Sequence, residues 1–188
     1  MADSRELPDD CLLLVQRARS GDRAAFGALY AGFARVVHGI ALVHGPAADG
    51  EDVVQDVFTM AYQKLPALRD AATFPAWLCT MARHAATDRG RRRRRAPRPG
   101  EPDELANVAT GERSPDEQFA ARDAAERVLA CIRALPDAYR EPLVLRLVEG
   151  LSGPEIAART GLTHGSVRVN LTRGMALLRP RLEEAGLP

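Results

Sequence analysis

The stretch from Ser152 to Arg173 constrains the fold of this chain more than any other. It opens with Ser-x-x-Glu, Ser152 to Glu155, a capping box in which the serine oxygen and the glutamate carboxylate satisfy free amides at a helix start. Gly153 and Pro154 fit only in that first turn. Ile156 and Ala157 follow, and then Gly161, which can take the positive φ of a tight turn. Thr163 supplies a second N-cap, with Val167 four residues later. Two short helices about a glycine turn, with a small residue where they cross, form a helix-turn-helix pattern. With Val167 as reference, Leu171, Gly174, Met175 and Leu178 share a narrow arc of the second helix, while Arg168, Val169, Thr172 and Arg173 lie away from it. A helix buried on one arc and carrying arginines beside small residues on the other suits a DNA major groove. The plainer alternative is a pair of packed helices.

The 188 residues have a formal net charge of +1, but the sign is segregated. Arg89 to Arg98 holds seven arginines and no acid, flanked by acidic stretches on both sides. A near-neutral total therefore conceals a strongly cationic segment. Cys11, Cys79 and Cys131 are widely spaced and form no CxxC or CxxH pattern, so neither a disulfide framework nor a zinc site is expected. Each reads most simply as a small buried hydrophobe rather than a sensor thiol. The first residues are acidic and polar, unlike a signal peptide, and no apolar run is expected to approach the ~20 residues that span a bilayer. These features predict a cytoplasmic protein with no metal and no cofactor.

Apolar periodicity predicts an all-α chain. A first helix runs from an Asp10 cap to Arg19, and Ser20-Gly21-Asp22 ends it and caps the next. Phe26, Leu29, Tyr30, Phe33, Val37 and Ile40 recur at three and four, giving a second helix to about Val43, before His44-Gly45-Pro46. A third spans about Asp49 to Leu65, with Val54, Val57, Phe58, Ala61, Tyr62 and Leu65 on one face. A fourth carries Phe74, Trp77, Leu78, Met81, Ala82 and Ala85 and continues into the arginine run. Together they predict a four-helix bundle over residues 1–95. Residues 96–113, rich in Pro, Gly and acids, read as a flexible linker. Over 114–188, Ser114 to Glu117 is another capping box. A helix to about Ala134 follows it, then one after Leu135-Pro136 with Val144, Leu147 and Val148 inward, and last the helix-turn-helix.

Several motifs carry a resemblance: Gly50-Glu-Asp-Val-Val-Gln-Asp-Val-Phe58, then Phe74-Pro-Ala-Trp-Leu78 leading to Ala82-Arg83 and the arginine run, then Leu135-Pro136, Val148-Glu-Gly-Leu-Ser152, Glu155-Ile-Ala157 and Gly165-Ser-Val-Arg168. In this order they resemble the extracytoplasmic-function group of bacterial RNA polymerase sigma factors, across nearly the whole chain. The resemblance implies a region-2-like bundle and a region-4-like helix-turn-helix domain, with core RNA polymerase, promoter DNA and an anti-sigma factor as partners. It places Asp49, Glu51, Asp52, Gln55 and Asp56 on the surface that docks on the polymerase's largest subunit; on physical grounds the same acids can instead favour the helix N-terminus, with Asp49 as its cap. It places Leu68, Arg69 and Asp70, with the loop to Thr73, and Arg83, His84 and Arg89 at the minus-ten element, where the cations hold single-stranded backbone. His84 stands where the family commonly has asparagine, and Trp77 reads as core rather than as a stacking platform. His164, Ser166, Arg168, Val169, Thr172 and Arg173 fall at the minus-thirty-five element, with Arg168 and Arg173 toward guanine or phosphate. Asn170 stands where the family often has a base, and Gly153-Pro154 replaces its usual aromatic and acidic pair.

The linker is expected to keep two readers apart while each binds its own promoter element. The competing reading is a stand-alone helix-turn-helix regulator with an N-terminal sensory bundle. A helical enzyme is disfavoured, since no acid–base pair, activated nucleophile or phosphate-cradling glycine loop is present.

Overall fold

The computed structural model describes residues 11–95 and 115–187, and every regular element among them is helical. The expected Asp10 cap, the Ser114 cap and the 96–113 linker lie outside the described residues. The N-terminal module comprises α1 (Cys11–Arg19), α2 (Arg23–His44), α3 (Gly50–Lys64) and α4 (Phe74–Arg95). The C-terminal module comprises α5 (Pro115–Arg133), α6 (Asp137–Leu147), α7 (Gly153–Thr160) and α8 (His164–Glu184).

The local punctuation works as the residue types dictate. Gly21 adopts φ 94° between α1 and α2, and Asp22 caps α2 by accepting from the Ala25 amide at 3.0 Å. Leu29, Phe33, Val37 and Ile40 of α2 are fully buried. Phe33 meets Phe74 edge-on with ring centroids 5.3 Å apart, a geometry that suits aromatic quadrupoles. Contrary to expectation, α2 is long and apolar enough, by length and composition, to cross a membrane. Here it is the central helix of the bundle, packed by α1, α3 and α4.

Other expectations are corrected. Tyr30 and Tyr62 are 42% exposed, although their rings lean on Phe58 and Phe26, at 4.6 and 4.9 Å, as an amphipathic side chain at a core edge can. Asp49 makes no side-chain cap to α3, because its carboxylate turns to Arg89 and Arg93. Leu147 and Val148 are exposed rather than inward: α6 ends there, and the inward position falls to Glu149.

The largest departure concerns the two modules, which are packed on one another. Helix α2 contacts α5, α6 and α7, and α4 contacts α7, so one hydrophobic core runs from Leu29 and Phe33 through Leu143, Val144 and Leu145 to Leu178. Gly39 permits a close approach. A Cβ at that position would stand 2.8 Å from Leu145 Cδ2 and 3.2 Å from Glu149 Cγ, so α2 and α6 cross at a distance that a larger side chain would disturb.

Candidate nucleic-acid and protein-docking surfaces

The helix-turn-helix is built by its caps. Ser152 Oγ accepts from the Glu155 amide at 3.3 Å, and Glu155 Oε2 accepts from the Ser152 amide at 2.7 Å. Burial opposes ionisation of Glu155, but these bonds and Arg159 bring its carboxyl below the ordinary range. Gly161 takes φ 75° as the C-cap of α7, and Thr163 Oγ1 caps α8 by accepting from the Ser166 amide at 3.1 Å. Val167 and Leu178 are buried. Gly174 lets α8 pass close to α6, since a Cβ there would fall 2.9 Å from Leu143 Cδ1. That anchoring leaves His164, Ser166, Arg168, Val169, Thr172 and Arg173 all exposed. The six form an outward surface of two guanidinium groups among small or polar side chains, compatible with base edges and phosphates. Ser166 Oγ also lies 2.8 Å from Thr163 Oγ1.

The second candidate surface runs from the Leu68–Thr73 loop along α4. Leu68 is half-buried against the core, and Arg69 and Asp70 are exposed. Asp70 shapes the loop: its carboxylate accepts from the Ala72 amide at 2.9 Å, and its carbonyl accepts from the Thr73 hydroxyl at 2.7 Å. His84 is exposed, as are Arg91 to Arg95. Trp77 is half-buried beside Phe74, with ring centroids 5.9 Å apart, and belongs to the core edge.

Two cations expected on single-stranded DNA are instead held by carboxylates. Arg83 grips Glu141 of α6 through both forks, Nε to Oε1 at 2.6 Å and Nη2 to Oε2 at 2.9 Å. Arg89 bonds Asp56 at 2.8 Å, pairs with Asp49 at 3.5 Å and also bonds Asp52. Three of the acids expected on polymerase thus converge on a residue expected on DNA: Asp49 just before α3, and Asp52 and Asp56 on it, follow at three and four residues and lie opposite one turn of α4. Glu51 and Gln55 remain exposed on α3.

Sequence reasoning missed the contacts between the modules. Glu141 and Glu149 are 8% and 7% exposed. His44 Nε2 lies 2.8 Å from Glu141 Oε1; His38 Nδ1 lies 2.8 Å from Glu149 Oε1, with Arg35 Nε at 3.4 Å from its other oxygen. Burial would raise the Glu141 carboxyl, but hydrogen bonds from His44 and Arg83 outweigh it and bring the pKa to about 2. Arg133 donates twice to the Leu42 carbonyl, at 2.8 and 2.6 Å, near the end of α2. Cys79 Sγ sits 3.5 Å from the Arg159 carbonyl, and burial first, then the Glu141 charge, pushes its thiol up to about 12. The sequence signal was a lone acid heading the apolar run Glu141-Pro-Leu-Val-Leu145. No grouping of metal-ligating side chains occurs among the described residues.

A helical bundle packed on a helix-turn-helix whose outer face is exposed is the plan of a protein of two helical modules built around a DNA-binding motif. Residues 29–96 match Sigma-70 region 2, and residues 125–178 match Sigma-70, region 4. RNA polymerase sigma factor CnrH of Cupriavidus metallidurans is 33% identical over 189 residues, covering 94% of this chain and 96% of that protein. The structure of CnrH in complex with the cytosolic domain of CnrY superposes with a TM-score of 0.61 at 28% identity, covering 93% of this chain and 99% of that one. ECF RNA polymerase sigma-E factor of Escherichia coli K12 is 30% identical over 177 residues, 90% of this chain and 92% of that protein. Probable RNA polymerase sigma factor RfaY of Xanthomonas campestris pv. campestris is 33% identical over 171 residues; these are 89% of this chain, which spans only 43% of that relative. The chain belongs to the extracytoplasmic-function group of RNA polymerase sigma factors. It is a DNA-binding initiation factor rather than an enzyme.

Proposed function

We propose that this chain mounts core RNA polymerase in the cytoplasm and directs it to promoters whose two elements are read by its two modules. The observation that carries the reading is the outward face of α8, with Arg168 and Arg173 presented by a helix whose opposite arc is buried. In this assignment residues 1–95 form the docking and minus-ten module, residues 96–113 the tether and residues 114–188 the minus-thirty-five module. Glu51, Asp52, Gln55 and Asp56, with Asp49 at their edge, meet the polymerase. Arg69, Asp70 and His84 face the minus-ten element, with Leu68 supporting the loop. Arg83 and Arg89 join them once their carboxylate partners are exchanged. His164, Ser166, Arg168, Val169, Thr172 and Arg173 face the minus-thirty-five element. An anti-sigma protein is the expected inhibitor; the CnrH structure likewise holds a protein partner, the cytosolic domain of CnrY.

Promoter binding tests the assignment. The free chain should bind promoter duplex weakly and gain affinity and specificity with core polymerase. Equal specific affinity without polymerase would support the stand-alone regulator instead.

A further inference from the structure

The pair Gly153-Pro154 departs from the family's usual residues, and it leaves a space beside the reading helix. The first turn of α7 and the N-terminal part of α8 enclose an open hollow of about 490 Å³. Gly153, Pro154, Val167 and Leu171 give it apolar walls, and His164 and Arg168 line it as well. Those last two also belong to the exposed face of the helix-turn-helix, so the hollow continues that surface. Packing does not require the glycine. A Cβ at Gly153 would meet no atom within 4 Å, so the space exists because position 153 carries no side chain.

Duplex DNA can offer this hollow a backbone phosphate or the edge of a base. A phosphate is poorly served there. Pro154 has no N–H to donate, and the Glu155 amide is already given to Ser152 Oγ at 3.3 Å. The Glu155 carboxylate stands at the same turn, accepting from the Ser152 amide at 2.7 Å. Against the cost of burial, its bonds to Ser152 and Arg159 hold that carboxyl below the ordinary range, so it is charged at neutral pH and repels an anion. Base edges fit better. The apolar group they present in the major groove is the C5 methyl of thymine, which 5-methylcytosine shares. Arg168, exposed beside the hollow, carries the forked donors that read guanine, which sets the methyl on a neighbouring base pair.

We propose that Gly153 and Pro154 determine specificity: the hollow they leave receives the C5 methyl of a pyrimidine next to the base that Arg168 reads. The chain then distinguishes thymine from uracil, and 5-methylcytosine from cytosine, at one position of the minus-thirty-five element. The inference rests on the assignment of α8 to that element.

Competition binding of the holoenzyme, the chain with core RNA polymerase, to a promoter duplex that it transcribes tests this. Across the minus-thirty-five element, on both strands, each thymine is replaced in turn by uracil and each cytosine by 5-methylcytosine, so that every base pair is sampled. At one position, removing the methyl should weaken binding by about three- to five-fold, or adding it should strengthen binding by as much, the effect of burying one carbon. Gly153→Tyr and Gly153→Leu fill the hollow and should abolish that dependence, at unchanged helical circular dichroism and polymerase binding. A methyl that rests on Val169 or Thr172 instead keeps its effect in both variants. Absence of methyl dependence at every position, or dependence of the same size in a folded Gly153 variant, would overturn the inference. A uniform change in affinity for all duplexes in those variants, without a methyl effect, would overturn it in favour of the sugar-phosphate backbone. Should the parent holoenzyme bind no promoter specifically, the sigma reading falls and this inference with it; specific binding without the methyl effect counts against this inference alone.

Discussion

At Glu141 two opposing effects meet, and their balance has a measurable sign. Burial favours the neutral acid, while hydrogen bonds from His44 on α2 and Arg83 on α4, and their charges, favour the carboxylate, bringing the pKa to about 2 from 4.5. The neighbouring Cys79, also on α4, is pushed up to about 12 and stays neutral. The unfolded chain therefore takes up a proton here before the folded chain does. The stabilisation is complete above about pH 4.5 and is lost as pH falls toward about 2. Denaturant unfolding between pH 5 and pH 2 should show a decline that Glu141→Gln reduces, by on the order of a few kcal/mol across that range; identical declines in both chains would contradict the assignment. On α8, Arg168→Ala should lower transcription from a promoter with the preferred minus-thirty-five sequence by roughly ten-fold or more while polymerase binding persists. Equal activity at every promoter would count against groove reading. Arg168 was legible in the sequence because its exposure follows from one helix's period. Arg83 was legible as a cation but not as a partner of Glu141, because that pair joins residues 58 positions apart.

Elements whose ends are fixed by their own residues were the readable ones. Asp22, Ser152 with Glu155, Gly161 and Thr163 act within a few residues, and each ends or begins a helix where its chemistry requires. Helix α6 was harder, because its apolar residues Leu147 and Val148 fall at a terminus where the chain turns away, and periodicity does not tell which side of a terminus is covered. Helix α3 shows a second limit. Its acids were read as a surface for another protein, yet Asp49, Asp52 and Asp56 also answer Arg89 across the bundle. Replacing Asp52 and Asp56 by arginine should repel Arg89 locally and weaken co-purification with core polymerase. Asp52 and Asp56 have side chains 57% and 61% exposed, so the ion pairs themselves contribute little and the fold should survive. Undiminished co-purification of the folded double variant would remove α3 from the docking surface.

Across the whole molecule, the order of motifs made the two modules and their family legible, whereas their packing was not. A linker's composition says how freely it bends, and nothing about whether the faces it joins are complementary. That complementarity resides in Gly39 beside Leu145, in Arg133 on the Leu42 carbonyl and in two buried glutamates, none of which belongs to a local pattern. These modules are parts of one initiation factor, and run-off transcription with purified core RNA polymerase across a genomic promoter library is the experiment that decides it. Addition of the chain should produce discrete transcripts from a subset of promoters that core polymerase alone does not start. The absence of any chain-dependent start site across that library would contradict the account.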